Sequence, residues 1–126
     1  MTYEATLNIE GTLPSLNEYI AAERRNKYIA AQMKKRTQEY IRWMIKQQLP
    51  HIHFREPVYM KYYWFERNRK RDKDNIAFAR KFIQDALVEA GVLEGDGWAH
   101  ILGFEDHFAV DKYRPHVSVE IKEMPF

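Results

Sequence analysis

Asp72 and Asp74 stand in the run Arg69-Lys70-Arg71-Asp72-Lys73-Asp74-Asn75, two carboxylates and an amide among cations. Carboxylate oxygens are the ligands a hard cation such as Mg²⁺ takes, and the ion fills the rest of its shell with waters and substrate phosphates. Lys and Arg side chains neutralise the phosphates of a nucleic-acid backbone. Together these residue types point to metal-dependent chemistry on nucleic acid. A further acid lies in Leu93-Glu94-Gly95-Asp96-Gly97-Trp98. Asp96 between two glycines is also ordinary turn chemistry.

The element that must position these acids is a helix predicted from about Asp74 to Ala90, with Gly91 as its C-terminal stop. At 100° per residue Ile76, Ala79, Ile83, Ala86, Leu87 and Ala90 form one apolar stripe, the core face. Asp74, Lys81 and Asp85 fall within roughly 20° of one another on the opposite face, with Phe78 close to the same line. A plain structural reading makes Asp74 an N-cap and Lys81–Asp85 a surface pair worth a few tenths of a kcal/mol. It leaves Asp72 unexplained, because a cap needs one acid.

A continuous helix of this length spans about 24 Å at ~1.5 Å per residue. A chain doubling back from Gly91 to Asp96 recovers at most about 17 Å at ~3.3 Å per residue. Side chains and a metal ion could close the remaining gap, and so could a neighbouring subunit.

Other segments obey the same logic. Thr2 to Glu10 alternates, with Tyr3, Ala5, Leu7 and Ile9 on one side, which is a half-buried strand. Gly11 to Pro14 breaks it, and Ser15 is placed to cap a helix starting at Leu16. Leu16 to Leu49 is helical in pattern, with an interruption near residues 23–27 and an end at Pro50. Val58 to Phe65 is rich in β-formers and reads as a central strand. Trp98 to Val110 and Val117 to Ile121 supply two more strands. The order β-α-β-α-β-β predicts an α+β fold, a mixed sheet with helices packed on it.

The 126 residues, 15.2 kDa, fit a single domain over 1–126 that buries its own core. There is no cysteine, so disulfides and thiolate metal sites are excluded. The five histidines lack metal-ligand spacing; His51 and His53 sit beside Pro50 in a loop. No Gly-rich phosphate loop or Ser/His/Asp set supports an NTPase or an acyl hydrolase. No apolar run suits a membrane, the first residues lack a signal peptide's cationic start, and a cytoplasmic protein is expected. The net charge of +2 conceals an asymmetry. Residues 1–90 carry 17 Lys/Arg against 11 Asp/Glu, and residues 91–126 carry 3 against 7. Cations gathered in one part of the chain fit a polyanion-binding surface, and equally a solvated face.

Four motifs, in order along most of the chain, resemble the RusA-like Holliday junction resolvases, endonucleases often encoded by phages and prophages. Pro14-Ser15-Leu16-Asn17 resembles that family's Pro-Ser-x-Asn element, and Arg71-Asp72-Lys73-Asp74-Asn75 its Asp-x-Asp-Asn motif. Lys81 through Leu87 resembles its Lys-x-x-x-Asp-Ala-Leu helix. Ala90 through Asp96 resembles its Gly-Val-x-x-Asp-Asp segment, with Gly95 where an acid is usual and a longer gap between Asn75 and Lys81.

The resemblance implies Mg²⁺- or Mn²⁺-dependent cleavage of four-way DNA junctions in recombination and repair. It implies Asp72, Asp74 and Asp96 as metal-binding catalytic acids, Lys81 as an assisting cation, and Asp85, Asn75 and Asn17 as supporting residues. Arg67, Arg69, Lys70, Arg71 and Lys73 are expected on the DNA backbone, with Arg24, Arg25, Lys27, Lys34, Lys35 and Arg36 as further candidates. A homodimer is expected, since a junction of near two-fold symmetry takes two matched cuts. The alternatives are a nuclease for another branched or single-stranded substrate and a non-catalytic DNA-binding dimer. Tyr3, Tyr28, Tyr59, Trp64 and Phe78 are expected in the core rather than against bases.

Overall fold

The computed structural model describes residues 3–124 and has the α+β architecture expected, a four-stranded mixed sheet with helices packed on it. The strands are β1 (Glu4–Glu10), β2 (Val58–Glu66), β3 (Ile101–Val110) and β4 (His116–Glu123). The helices are α1 (Leu16–Arg25), α2 (Lys27–Gln48), α3 (Lys73–Ala77) and α4 (Arg80–Glu89). Thr2, the predicted start of the first strand, lies outside the described residues. Sheet order is β1-β4-β2-β3, with β2 and β3 parallel and the other neighbours antiparallel. The parallel pair is joined through α3 and α4, as a parallel connection requires.

Alternation sets which side of the sheet is dry. Val58, Met60, Tyr62 and Trp64 of β2 are buried, as are Leu7 and Ile9 of β1 and Val117, Val119 and Ile121 of β4. Ile41, Ile45, Phe82, Ile83, Ala86 and Leu87 of the helices belong to the same core. Burying each large side chain contributes roughly 1.5–3 kcal/mol. The intervening residues of β2, Tyr59, Lys61, Tyr63 and Phe65, are only half-buried.

Each predicted helical stretch is two helices. Asn26 divides the first: its backbone is extended and its side chain accepts from the Ile29 N–H. It thereby caps α2 where the interruption was expected. Ser15 caps α1 with a reciprocal capping box to Glu18. The second stretch was expected to be continuous and is not. The N–H groups of Ala79 and Lys81 donate to carbonyls three residues back, at 3.2 Å each, and this tightened turn separates α3 from α4. Gly91, at φ +79°, ends α4 as predicted. The Val92 N–H bonds the Leu87 carbonyl and the Gly91 N–H bonds that of Val88, a Schellman closure.

That break corrects the helical wheel. Ile76, Ala79, Ile83, Ala86 and Leu87 are buried as expected, but Ala90 is exposed because α4 has already ended. Phe78, assigned to the outer line, packs against the core with its ring near Tyr19 and Phe82. Trp98 belongs to a turn and is 98% exposed; β3 begins at Ile101. Of the aromatics expected inside, Trp64 is buried, while Tyr28 is 70% exposed and Tyr3 also reaches solvent. No helix among the described residues is long and apolar enough to cross a membrane.

Candidate active site

A cleft of about 660 Å³ lies where β2 and β3 end and α3 begins. Asp72, Asp74, Arg69, Lys73, Asn68, Arg71 and Glu66 line it, with Ile76 and with Phe108, Ala109 and Val110 of β3. Its position is set by topology: both parallel strands point the same way, and the chain leaving β2 turns across their carboxyl ends into α3.

Asp72, rather than Asp74, occupies the N-cap position of α3, and it makes no side-chain cap bond. Its carbonyl accepts from the Ile76 N–H, so the backbone does the helix's work while the carboxylate is left over. Asp74 sits in the first turn, where its Oδ1 accepts from the Asn75 N–H at 2.9 Å. Both acids are exposed, and neither forms an ion pair among the described residues. The plain reading of Asp74 as a cap therefore fails, and two carboxylates that form no ion pair among the described residues share one cleft with Arg69, Arg71 and Lys73.

The loop carrying them is held by Arg71. Its guanidinium makes a two-pronged bond to Glu66, Nε to Oε1 and Nη2 to Oε2, both 2.9 Å. Nη1 also donates to the Leu13 carbonyl at 2.8 Å and to Glu18 at 3.1 Å. Arg71 thus spends its donors inside the protein, tying the loop before α3 to the Pro14–Ser15 element. Asn75 adds a second tie, its Oδ1 accepting from the Asn17 N–H at 2.8 Å. Asn17 contributes through its backbone. Arg67, Arg69, Lys70 and Lys73 are exposed and form no ion pair among the described residues, and the Lys73 ammonium lies over the Phe108 ring, 5.8 Å from its centroid. Arg24, Arg25, Lys27, Lys34, Lys35 and Arg36 are likewise exposed on α1 and α2.

Lys81 and Asp96 meet each other but not the cleft. Lys81 Nζ lies 3.0 Å from Asp85 and 3.4 Å from Asp96. The bond to Asp85, with both negative charges behind it, raises the Lys81 pKa, so the side chain is a firm cation. Asp85 also accepts from Gln38 at 3.3 Å and lies 3.9 Å from Lys34, fastening α4 to α2. Neither Lys81 nor Asp96 lines the cleft, and no three Asp, Glu or His side chains gather at metal-binding range among the described residues. At Gly95 a Cβ would sit 2.6 Å from the His100 ring, so a side chain there would require that ring to move.

Glu66 and the β3 residues of the cleft are not among the candidates that the sequence singles out. Glu66 was nonetheless legible: it continues the parity of Val58, Met60, Tyr62 and Trp64 and so must turn inward, where it is 7% exposed. An acid on the buried side of a strand demands a cation, and Arg71 is five residues on. The β3 residues carry no local signal. His53, expected as a surface loop residue, is exposed and bonds the Gly91 carbonyl at 2.6 Å and Glu94 at 3.2 Å. No protein-family model matches this chain, and no curated protein matches it either.

Proposed function

We propose that this protein is a Mg²⁺- or Mn²⁺-dependent endodeoxyribonuclease that resolves four-way DNA junctions by paired cuts. One observation carries the proposal: Asp72 stands at a helix N-cap without capping, beside Asp74, both unpaired in a cleft rimmed by unpaired cations. The four motifs that resemble the RusA-like resolvases support it, and two of them meet here through the Asn17–Asn75 bond.

The donor set fits the ion. A hard cation takes one or two carboxylates and leaves other positions to water and phosphate oxygens; Asp72 and Asp74 would hold it, with Asp96 supplied by a rearranged loop or by a second subunit. A bound divalent ion lowers the pKa of water and offsets charge on a phosphoryl centre. The chain's own residues do the rest. Arg69 and Lys73, at the cleft, and Arg67 and Lys70 beside it, bind backbone phosphates. Arg71, through Glu66, holds the acid-bearing loop in register with the strand ends. Lys81, kept charged by Asp85 and Asp96, places a cation one helix start away from Asp74.

The test is a labelled four-way junction incubated with the protein, with and without Mg²⁺, and resolved on a denaturing gel. Metal-dependent paired nicks at symmetric positions are expected. Junction binding without a cut under any divalent ion would replace this reading with a non-catalytic DNA-binding protein. Cutting of linear duplex at a similar rate would replace it with a general nuclease.

A further inference from the structure

One side of the sheet carries the helices and the other does not. Val58, Met60, Tyr62 and Trp64 of β2 share a core with the helices, while the residues between them face the opposite way and stay half-buried. Registration carries this open face across three strands. Tyr63 stands between Ser118 of β4 and His107 of β3, and Phe65 stands between His116 and Ala109.

Two imidazoles stack on two aromatic rings there. The Phe65 and His116 rings lie 4.3 Å apart at 16°, and the Tyr63 and His107 rings 4.9 Å apart at 15°. Neighbouring strands are ~4.8 Å apart, so rings stacked across strands at this spacing stand upright, with their faces turned to the adjacent strands. Each β2 ring then has one face covered by an imidazole and the other turned to the strand on its opposite side. For Phe65 that side holds Ala109, an exposed residue with a single methyl group. The result is a slot with an aromatic wall and a small apolar floor.

The His116 stack is an ordinary cross-strand pair and accounts for one face of Phe65. On the other face no ring or cation of the described residues sits. The wall is also held in place: the His116 Nδ1 bonds the Arg114 carbonyl at 2.8 Å, which fixes the imidazole behind Phe65. The slot adjoins the cleft. Its floor, Ala109, lines the cleft with Asp72 and Asp74, and so does Glu66, the residue next to Phe65. Arg67 and Arg69 follow in the chain, both exposed. A cationic track for the backbone beside an aromatic face for a base is the combination that single-stranded nucleic acid requires.

We propose that Phe65 is the stacking wall for one unpaired nucleobase, seated over Ala109, in the strand whose phosphate lies at Asp72 and Asp74. This deepens the nuclease reading and rests on it for the strand's path through the cleft. A base inside a duplex must leave its stack and its partner to enter the slot, a cost that an unpaired base does not incur. Phe65 therefore favours a strand with an open base beside the cut, as at a branch point, over continuous duplex. The Ala109 side chain offers no hydrogen-bonding group, and every base has a π-face, so the preference is for unpaired over paired bases without regard to sequence.

Binding is measured by fluorescence anisotropy in EDTA, where no strand is cut. The probes are a labelled oligothymidylate of about 20 nucleotides, longer than a single-strand site of ~4–16, and a blunt duplex of the same length. Phe65→Leu keeps the apolar bulk and removes the π-face. It should weaken oligothymidylate binding about 10-fold more than duplex binding, the loss of one base stack. Ala109→Phe leaves Phe65 in place and fills the slot from an exposed position, and it should give the same selective loss. Phe65→Trp should hold the oligothymidylate at least as tightly as the unaltered chain. In all three variants the slope of log affinity against log salt should be unchanged, because no phosphate contact is lost. Circular dichroism checks that each is folded.

Equal weakening towards both probes, or unchanged oligothymidylate affinity in Phe65→Leu or Ala109→Phe, would overturn the proposal. A protein that shows the Phe65-dependent preference yet cuts no junction under Mg²⁺ or Mn²⁺ would sink the nuclease reading and leave the slot standing. Metal-dependent junction cutting with the preference intact in Phe65→Leu would sink the slot alone. An unaltered chain that binds neither probe would end both.

Discussion

Replacing Arg71 by Met should expose how much of the cleft depends on one buried ion pair. Arg71 and Glu66 side chains are 23% and 10% exposed, and two 2.9 Å bonds join them. Removing the guanidinium strands a carboxylate at the end of a core-facing strand position, a change that costs about 3–5 kcal/mol in such settings. Glu18, whose side chain is 54% exposed, adds at most a few tenths. We take ~3 kcal/mol, which for a domain of this size is a drop in Tm of about 10 °C. Thermal melts followed by far-UV circular dichroism measure it. The companion variant Glu66→Gln/Arg71→Met removes the stranded charge and should recover about half the loss. A Tm within 2 °C of the unaltered protein, or no recovery in the double variant, would refute the assignment of Arg71 as the clamp.

Asp74→Asn should abolish junction cleavage while leaving affinity equal or improved, measured by gel shift beside the nicking assay; lost affinity with intact secondary structure would count against it. Asp72→Ala should leave the melting temperature unchanged, because its carboxylate caps nothing, whereas Ser15→Ala should cost about 1 kcal/mol through the lost capping box. His53 has a raised pKa, chiefly from the Gly91 carbonyl and then Glu94. Its contribution is therefore complete below about pH 6.5 and fades as pH rises through the higher folded value; the Tm difference between the unaltered chain and His53→Gln should be larger at pH 5.5 than at pH 8.5. Junction affinity should fall steeply with salt, and Arg69→Ala or Lys73→Ala should each reduce the log–log slope by about one.

Strand positions were readable because burial alternates along each one: Leu7 and Ile9, or Val58 through Trp64, announce their face without reference to neighbours. The Asn26 break and the Gly91 stop were equally local. Phe78–Ala79 was not, since neither residue is a helix breaker and the tightened turn answers to the packing of Phe78 against Tyr19 and Phe82. Asp72 and Asp74 were visible as residues with more charge than a cap needs. That Asp96 goes to Lys81 instead of to them is a fact of loop path, which spacing along the chain does not encode. Neither does the order of strands across the sheet.

That order has a consequence for how the chain acquires its structure. β4, the last strand in sequence, lies between β1 and β2 and is registered with both, from Glu4–Lys122 to Phe65–His116. Until residues 116–123 have left the ribosome, β1 has no neighbour at all and β2 lacks one side. Helices α1 and α2 can form early, but the apolar faces they cover are not yet assembled. Pairings this distant along the chain form slowly and leave unsatisfied strands at risk of aggregation meanwhile. The nascent polypeptide thus closes its sheet late: a chain stopped upstream of β4 keeps the strands of the β2–β3 pair but leaves β1 with no strand to join.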